Sequence, residues 1–247
     1  MNLIIDIGNS YTKLSIYRGE SVYNLSSIKS NEHELIISKI KQLKKQQKGI
    51  KKVILSSVSS EHIELEEYLL QNFIFFIKLS HQTKIPIKNL YKTPKTLGKD
   101  RLAAVVAANN IFPNNNVLVF DAGTALTIDF INNKSEYLGG SISLGIETRF
   151  KALNYYTKKL PKIDLNINFN NSLGTTTEEA ITSGVQNGII NEVEGYISNY
   201  SKKYKDLEII FTGGDTFFFE ERLTEKILSD PDIVSKGLNI ILEYNAK

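Results

Sequence analysis

The segment Asp6-Ile7-Gly8-Asn9-Ser10-Tyr11-Thr12 follows the apolar run Leu3-Ile4-Ile5, and a segment of the same pattern occurs in the second half of the chain. The second copy is Asp121-Ala122-Gly123-Thr124-Ala125-Leu126-Thr127, which follows the apolar run Val117-Leu118-Val119-Phe120. At an offset of 115 residues, Asp6 aligns with Asp121 and Gly8 aligns with Gly123. A second strand-like run follows each copy. The sequence therefore predicts a duplicated β-hairpin with an acid and a glycine in its turn.

The chemistry of these two turns indicates phosphate binding. A glycine adopts positive φ readily and has no Cβ to obstruct a phosphate, and the amides that follow it are donors. Hydroxyl donors are also present: Ser10, Thr12, Thr124 and Thr127. A carboxylate among phosphate ligands repels them unless it holds a cation, which gives Asp6 and Asp121 a role. Asp and Gly are also ordinary turn residues, and a single copy would favour that interpretation. Two aligned copies, each after an apolar strand, favour phosphate binding.

The repeat also predicts the organisation of the chain. A length of 247 residues suits one large domain or two of about 120. The offset favours two similar lobes, residues 1–112 and 113–247, divided at a polar break. The predicted strands are 2–6, 14–17, 22–25, 53–57 and 73–77, then 117–120, 125–131, 136–138 and 207–212; the longer helices are 32–47, one from Ser60, and 177–204. We therefore expect an α/β protein in which each lobe is a mixed sheet flanked by helices, with a cleft between the lobes.

Composition excludes several classes of protein. No apolar stretch approaches the roughly 20 residues that span a membrane, and no secretory signal precedes the first strand. The absence of cysteine excludes disulfides and thiolate zinc sites and suggests a cytoplasmic location. The net charge of +3 is small, and the lysine-rich run 39–52 has apolar residues at helical spacing. We expect that run to be the solvated face of a helix, so the sequence predicts neither a nucleic-acid site nor a membrane partner.

The segment from Tyr91 to Arg101 is the second candidate site. It is a polar loop that ends at Gly98 and leads into a helical stretch, which places Asp100 and Arg101 in the first turn of a helix. Asp100 could simply cap that helix. Arg101 does not fit a capping role, because a cation in the first turn opposes the helix dipole. The pair therefore favours a site that binds an anion or a carboxylate.

Other nucleotide and catalytic signatures are absent from the sequence. The chain has no G-x-x-x-x-G-K-[ST] motif, no G-x-G-x-x-G after a strand and no protein-kinase motif. Its three histidines, His33, His62 and His81, lack the spacing of metal ligands. The serine run 56–60 lacks the G-x-S-x-G context of a serine nucleophile.

Six segments together resemble the type III pantothenate kinases, a family within the superfamily of sugar kinases, actin and chaperone ATPases. In chain order they are D-I-G-N-S-Y-T-K, Y-K-T-P-K-T-L-G-K-D-R, D-A-G-T-A-L-T-I-D, Y-L-G-G-S-I-S-L-G-I-E-T-R-F-K-A-L, S-L-G-T-T-T-E-E-A-I-T-S-G-V-Q-N-G and I-I-F-T-G-G-D. The resemblance covers almost the whole chain. It departs from the family pattern at Leu144, where proline is usual, and at Ser10, where threonine is usual.

The resemblance implies a role for each matching residue in the phosphorylation of pantothenate by ATP, the first step of coenzyme A biosynthesis. Asp100 would be the general base. The substrate residues would be Tyr91, Gly98, Lys99, Asp100, Arg101 and Thr177. The ATP residues would be Asp6, Ile7, Gly8, Asn9, Ser10, Tyr11, Thr12, Lys13 and Thr124. Asp6 would lie near the Mg²⁺ that accompanies ATP, and Asp121 would coordinate K⁺ or NH₄⁺.

The resemblance also implies a homodimer, and alternatives remain beside it. One is a kinase or phosphatase of the same fold acting on another small hydroxyl compound, which would keep both turns and lose the T-P-K-T-L-G-K-D-R segment. Another is a non-catalytic ATP-binding transcriptional accessory protein of the same family, which would have no need of Asp100. This chain has both the T-P-K-T-L-G-K-D-R segment and Asp100, which favours the pantothenate kinase over either alternative.

Overall fold

A computed structural model describes residues 1–19, 21–58 and 62–246 of the chain. The elements as far as the middle of the chain are β1 (Asn2–Ile7), β2 (Tyr11–Arg18), β3 (Ser21–Lys29), α1 (His33–Gln46), β4 (Lys52–Ser57), α2 (Ile63–Asn72), β5 (Phe75–Lys78), β6 (Lys88–Asn89) and α3 (Lys99–Ile111). The remaining elements are β7 (Asn116–Ala122), β8 (Ala125–Ile131), β9 (Glu136–Leu144), α4 (Ile146–Tyr156), α5 (Thr177–Lys203), β10 (Leu207–Thr212), α6 (Thr216–Glu220), β11 (Leu228–Ser229) and α7 (Ile233–Asn245).

The chain divides into two compact units with the same sheet topology. The first unit comprises Met1–Ala107 with Asp232–Lys247, and the second comprises Ala108–Pro231. Strands of the first sheet lie in the order β3-β2-β1-β4-β5, and those of the second unit in the equivalent order β9-β8-β7-β10-β11. In both, the hairpin strands pair antiparallel and the later strands pair parallel. The predicted α/β fold with duplicated mixed sheets is confirmed.

The sequence explains why these strands are central. The central residues of β1 (Leu3, Ile4, Ile5) and of β4 (Val53, Ile54, Leu55) are apolar and buried, as expected for strands that are covered on both faces. In the second unit Phe120 of β7 stacks on Phe211 of β10, with ring centroids 4.6 Å apart. Helix α1 packs on the first sheet with four buried apolar residues, Ile36, Ile37, Ile40 and Leu43. That apolar face confirms an amphipathic helix for the lysine-rich run as far as Gln46. Lys48 and Lys51 follow the helix, and Lys52 is the first residue of β4.

The first unit includes a helix from the far end of the sequence. Helix α7 packs against β1 and β4, and Asn239 accepts a hydrogen bond from Asn2 at 2.7 Å. Gly237 allows close approach to α3, because an added Cβ would lie 1.8 Å from the carbonyl oxygen of Ala103. The lobes predicted from the sequence meet at residues 112 and 113, with residues 232–247 in the second. The compact units differ from those lobes chiefly in this helix.

Most predicted elements lie where the sequence placed them, but β3 and β9 extend four and six residues past their predicted ends. Strand β10 has the predicted bounds, and α5 ends one residue earlier than predicted. Strand β5 begins at Phe75 rather than at Phe73, because the amide of Phe73 caps α2 by donating to the carbonyl of Leu69. The helix start predicted at Ser60 lies outside the described residues, and α2 is described from Ile63. Within the described ranges, no helix is both long and apolar enough to cross a membrane.

Candidate active site

The first turn joins β1 to β2 and is closed by its own backbone. The amide of Gly8 donates to the carbonyl of Tyr11 at 3.0 Å. An added Cβ at Gly8 would lie 3.1 Å from that same oxygen, which is tighter than ordinary contact. Asp6 pairs with Lys13 across the hairpin. The first and last residues of the predicted ATP segment, a carboxylate and a lysine, are therefore neighbours.

A serine that the sequence did not indicate supports this turn. The hydroxyl of Ser30 donates to the carbonyl of Gly8 at 2.8 Å and lies 3.2 Å from the hydroxyl of Thr12. The amide of Ser30 donates to the carbonyl of Ser10 at 3.0 Å. Thr12 is fully buried, so its hydroxyl serves this network inside the fold. The expected ATP contact through Thr12 stays a prediction, and its observed partner is Ser30.

Asp6 lies in an environment that favours a nearby cation. Burial is the largest cause that raises the pKa of its carboxyl, to about 6, and the negative charge of Asp100 adds to the rise. A hydrogen bond from the hydroxyl of Ser56 and the charge of Lys13 act in the opposite direction. A partly buried carboxylate beside a second carboxylate is costly without a compensating charge. These residues therefore fit Mg²⁺ held jointly by Asp6 and the phosphates of a nucleotide.

The predicted substrate segment converges at the start of α3. The carboxylate of Asp100 accepts a hydrogen bond from the amide of Arg101 at 2.8 Å, which keeps it at the first turn. Gly98 makes room for this arrangement, since an added Cβ would lie 2.5 Å from the carboxylate oxygen Oδ1 of Asp100. The prediction that Asp100 and Arg101 occupy a first helical turn is confirmed.

Arg101 and Tyr91 lie together in the same unit. The guanidinium carbon of Arg101 is 5.8 Å from the centroid of the Tyr91 ring, within the range of a cation–π contact. Only 6% of Arg101 is exposed. A buried arginine whose guanidinium lies near an aromatic ring forms a polar corner suited to a small anionic molecule.

The side chain of Lys99 bonds to a strand of the first sheet. Its ammonium donates to the carbonyl of Ser57, at the end of β4, at 2.8 Å. Burial is the main cause that lowers the pKa of Lys99, and repulsion from Lys78 adds to the effect. The nearby Glu66 forms an ion pair with Lys78 at 2.5 Å. The side chain of Lys99 is thus engaged within the first unit.

The second turn, between β7 and β8, is supported by backbone groups. The carbonyl of Thr124 accepts from the amide of Gly145 at 3.1 Å and from the hydroxyl of Thr148 at 2.7 Å. An added Cβ at Gly145 would lie 1.8 Å from the carbonyl oxygen of Gly123. At Gly213, with φ +94°, it would lie 2.2 Å from the carbonyl oxygen of Ala122. Two glycine-containing loops therefore press directly on this turn.

Several oxygen atoms lie close to the second turn. An added Cβ at Gly213 would be 2.6 Å from the carboxylate of Asp121, so β10 ends against that side chain. The amide of Asp215 donates to the carbonyl of Ala122 at 3.0 Å, and burial followed by repulsion from Glu147 raises the pKa of Asp215. Across the described ranges, no three acidic, histidine or cysteine side chains form a metal cluster. A cation at Asp121 would therefore need carbonyl or phosphate oxygens as further ligands, which hard cations accept.

The predicted residues fall into two groups, one in each unit. Residues 6–13, 91 and 98–101 belong to the first unit, and Asp121, Thr124 and Thr177 belong to the second. Thr177 is the first residue of α5, directly after the N-cap Thr176, whose side chain accepts from the amide of Glu179. Sequence reasoning missed Ser30, Ser56 and Gly145 as supports. The glycine spacing in the segment around Gly145 could have indicated that residue, and we find no comparable pattern around Ser30 or Ser56.

The duplicated sheets, with an acid–glycine turn in each, give the protein the fold class of sugar kinases and actin-like ATPases. A candidate N-acetylmannosamine kinase from Listeria monocytogenes shares the fold, with a TM-score of 0.59 at 9% identity over 100% of this chain and 99% of that one. A candidate Baf-family transcriptional activator from Campylobacter jejuni gives 0.61 at 23% identity over 99% and 98%.

Sequence comparison identifies the family. The family model described as type III pantothenate kinase matches residues 2–199. A type III pantothenate kinase from Phocaeicola vulgatus is 45% identical over 253 residues, covering 100% of both chains. The protein belongs to the type III pantothenate kinase family.

Proposed function

We propose that the protein transfers the γ-phosphoryl group of ATP to the primary hydroxyl of pantothenate, giving 4′-phosphopantothenate in the first step of coenzyme A biosynthesis. The observation that carries this proposal is the placement of Asp100 beside Arg101 and within electrostatic reach of Asp6. Full-length relatives named type III pantothenate kinase support the same substrate. The placement brings together Asp100 as the candidate base, Arg101 as the candidate ligand of the substrate, and the turn that begins at Asp6.

Asp100 is the general base in this mechanism. It accepts the proton of the substrate hydroxyl as that oxygen attacks the γ-phosphorus, and the bond to the leaving β,γ-bridging oxygen breaks. The hydrogen bond from the amide of Arg101 holds the carboxylate at the helix start. Phosphoryl transfer depends mainly on positioning and on charge neutralisation, and this arrangement supplies the positioning.

Recognition of pantothenate rests on the corner formed by Tyr91, Gly98 and Arg101, with Lys99 in the same loop. Thr177 stays a predicted substrate residue. The guanidinium of Arg101 pairs with the substrate carboxylate, and a bidentate bond of this kind is worth roughly 1.5–3 kcal/mol. The burial of Arg101 beside the Tyr91 ring supports this role. Pantothenol lacks the carboxylate, so we expect it to be a poor substrate.

The two turns bind ATP. The residues predicted to contact ATP are the segment from Asp6 to Lys13, which would hold the phosphates, and Thr124. Mg²⁺, when bound with ATP, neutralises phosphate charge, and Asp6 is the side chain placed to hold it. The burial that raises the pKa of Asp6, together with the neighbouring charge of Asp100, supports that assignment, because both make a compensating cation favourable.

Asp121 coordinates a monovalent cation, K⁺ or NH₄⁺, in this proposal. The crowding of carbonyl oxygens and Asp121 around the second turn supports such a site. Initial rates should be compared in buffers that differ only in KCl, NH₄Cl or NaCl. Activity should rise steeply with K⁺ or NH₄⁺ in the wild type, and Asp121→Ala should abolish the dependence. Equal rates in sodium and potassium would contradict the assignment.

The proposal includes a homodimer and a cytoplasmic location, the latter supported by the absence of cysteine. The alternative of a transcriptional accessory protein has a structural neighbour named as an activator, but at 23% identity that likeness extends to the fold alone. Full-length relatives at 45% and 39% identity carry the kinase name, so the enzyme is favoured.

The direct experiment is ATP-dependent phosphorylation of pantothenate by the purified protein with Mg²⁺ and K⁺. Asp100→Asn should lower kcat by roughly 10²–10⁴ while ATP binding and the melting temperature stay near those of the wild type. A variant that keeps more than about a third of the wild-type kcat would show that Asp100 is not the base. No phosphorylation of pantothenate by the folded wild type would overturn the proposed function.

A further inference from the structure

Lys99 precedes the proposed base, and its side chain bonds to the end of strand β4. Its ammonium donates to the carbonyl of Ser57 at 2.8 Å, across 42 residues of sequence. Ser57 is the last residue of β4 and is buried. The bond therefore joins the start of α3 to the end of a central strand of the first sheet.

That strand lies directly beside the first phosphate turn. In the parallel pairing of β1 with β4, Asp6 is opposite Ser56 and Ile7 is opposite Ser57. The amide of Val58 donates to the carbonyl of Ile7 at 3.0 Å, which continues the pairing past the end of β4. The hydroxyl of Ser56 bonds the carboxylate of Asp6. A rigid path of hydrogen bonds thus connects Lys99 to the segment proposed to bind the phosphates.

We propose that Lys99 is a positioning residue, whose bond to Ser57 holds Asp100 in register with the first phosphate turn, and that its ammonium is not a ligand of pantothenate. This inference rests on the proposed function for its kinetic consequence. The family resemblance implies that Lys99 is a substrate residue, and the inference replaces that role for its side chain. The other residues of the loop keep their proposed substrate roles.

The loop before α3 explains why such a tether matters. It is held by a short turn in which the amide and the hydroxyl of Thr96 both bond to the carbonyl of Thr93 at 3.0 Å. Leu97 and Leu102 are buried on either side of Asp100, but apolar contacts are not directional. The Lys99 bond adds the directional restraint. Displacement of a reacting group by about 1 Å can cost up to a hundredfold in rate, so loss of this restraint should lower kcat.

The test compares Lys99→Met, which keeps the length and loses the donor, with Lys99→Arg, which keeps a charged donor. The matched control is Lys95→Met, an exposed lysine of the same loop. We expect Lys99→Met to lose about tenfold or more in kcat with KM for pantothenate changed by less than about twofold. Lys99→Arg should recover most of the loss, and Lys95→Met should resemble the wild type.

Two outcomes would overturn the inference. A rise in KM for pantothenate at unchanged kcat would show that Lys99 binds the substrate. Equal losses in Lys99→Met and Lys99→Arg that follow a fall in melting temperature would show a general contribution to stability.

A second measurement keeps the test independent of the proposed function. Amide hydrogen exchange at Arg101 and Leu102 should be faster in Lys99→Met than in the wild type, while the amides of α5 should be unchanged. Faster exchange in Lys99→Met, combined with a wild type that does not phosphorylate pantothenate, would leave the tether standing and reject only the substrate. Unchanged exchange would reject the tether itself.

Discussion

The two phosphate turns share their sequence pattern and their place in equivalent sheets, but they are held in position by different means. The first turn is supported by hydroxyl groups, because Ser30 bonds Gly8 and Thr12, and Ser56 bonds Asp6. The second turn also receives one hydroxyl, that of Thr148 at the Thr124 carbonyl, but its closest support is backbone contact, because Gly145 and Gly213 lie against the carbonyls of Gly123 and Ala122. The repeat thus preserves the residues that face a ligand while the supports behind them differ.

This difference determines how each turn should respond to substitution. A hydroxyl hydrogen bond contributes about 0.5–1.5 kcal/mol and can be lost without displacing its neighbours. Backbone contact at 1.8–2.2 Å from an added Cβ leaves no space, so any side chain must displace the main chain. The second turn should therefore be the less tolerant of the two.

The largest effect is expected at Gly213. Gly213→Ala adds a Cβ 2.2 Å from the carbonyl of Ala122, at a residue with φ +94°. Strain and overpacking together should lower the free energy of unfolding by about 2–5 kcal/mol, measured by urea denaturation. Gly123→Ala is the control, since nothing lies within 4 Å of its added Cβ. It should keep its stability and raise KM for ATP. If the two variants are equally stable, backbone contact is not what holds this turn.

At Asp6 we expect an effect of intermediate size and opposite sign, an increase in the free energy of unfolding. Its pKa is about 6 in the folded protein and ordinarily 3.8, so the folded state binds the proton more tightly. Stability from this group is therefore present below about pH 4 and is lost as pH rises through about 6. Asp6→Asn cannot ionise, so it should be more stable than the wild type at pH 8 by about 1–3 kcal/mol, and inactive.

The measurement for Asp6 is urea denaturation at pH 4 and at pH 8, in EDTA and without nucleotide. The gain should vanish at pH 4. Asp164→Asn, which removes an exposed carboxylate, is the control for the change in net charge. A variant less stable than the wild type at pH 8 would contradict the expectation, because it would show that the first turn stabilises the charged form of Asp6.

The smallest effect is expected at Ser30. Ser30→Ala removes the bond to the Gly8 carbonyl and the contact with Thr12, so it should cost about 1 kcal/mol. KM for ATP should rise modestly, because the turn keeps its own closing bond between Gly8 and Tyr11. The readouts are chemical denaturation and steady-state kinetics. A loss as large as that of Gly213→Ala would remove the distinction between the two turns.

Local signals in the sequence were sufficient for the hairpins and for the start of α3. An acid and a glycine between apolar runs determine a hairpin within about a dozen residues, and Arg101 was notable because a cation opposes the dipole of its helix. The supports were not visible in the same way. Ser30 acts on Gly8 across 22 residues, and Gly213 matters only because β10 lies beside β7. Such contacts depend on tertiary structure, and a single sequence does not encode them as a pattern.

The membership of α7 in the first unit was missed for the same reason, and it affects how the chain folds as it leaves the ribosome. Residues 108–231 are continuous and can fold as soon as they emerge. The earlier sheet must wait for its last helix, since Asn2 meets Asn239 and the hydroxyl of Tyr17 lies 2.7 Å from that of Ser235. The half that is synthesised first is therefore completed last, because the part of β1 and β4 that α7 covers stays exposed until residues 233–245 have left the ribosome.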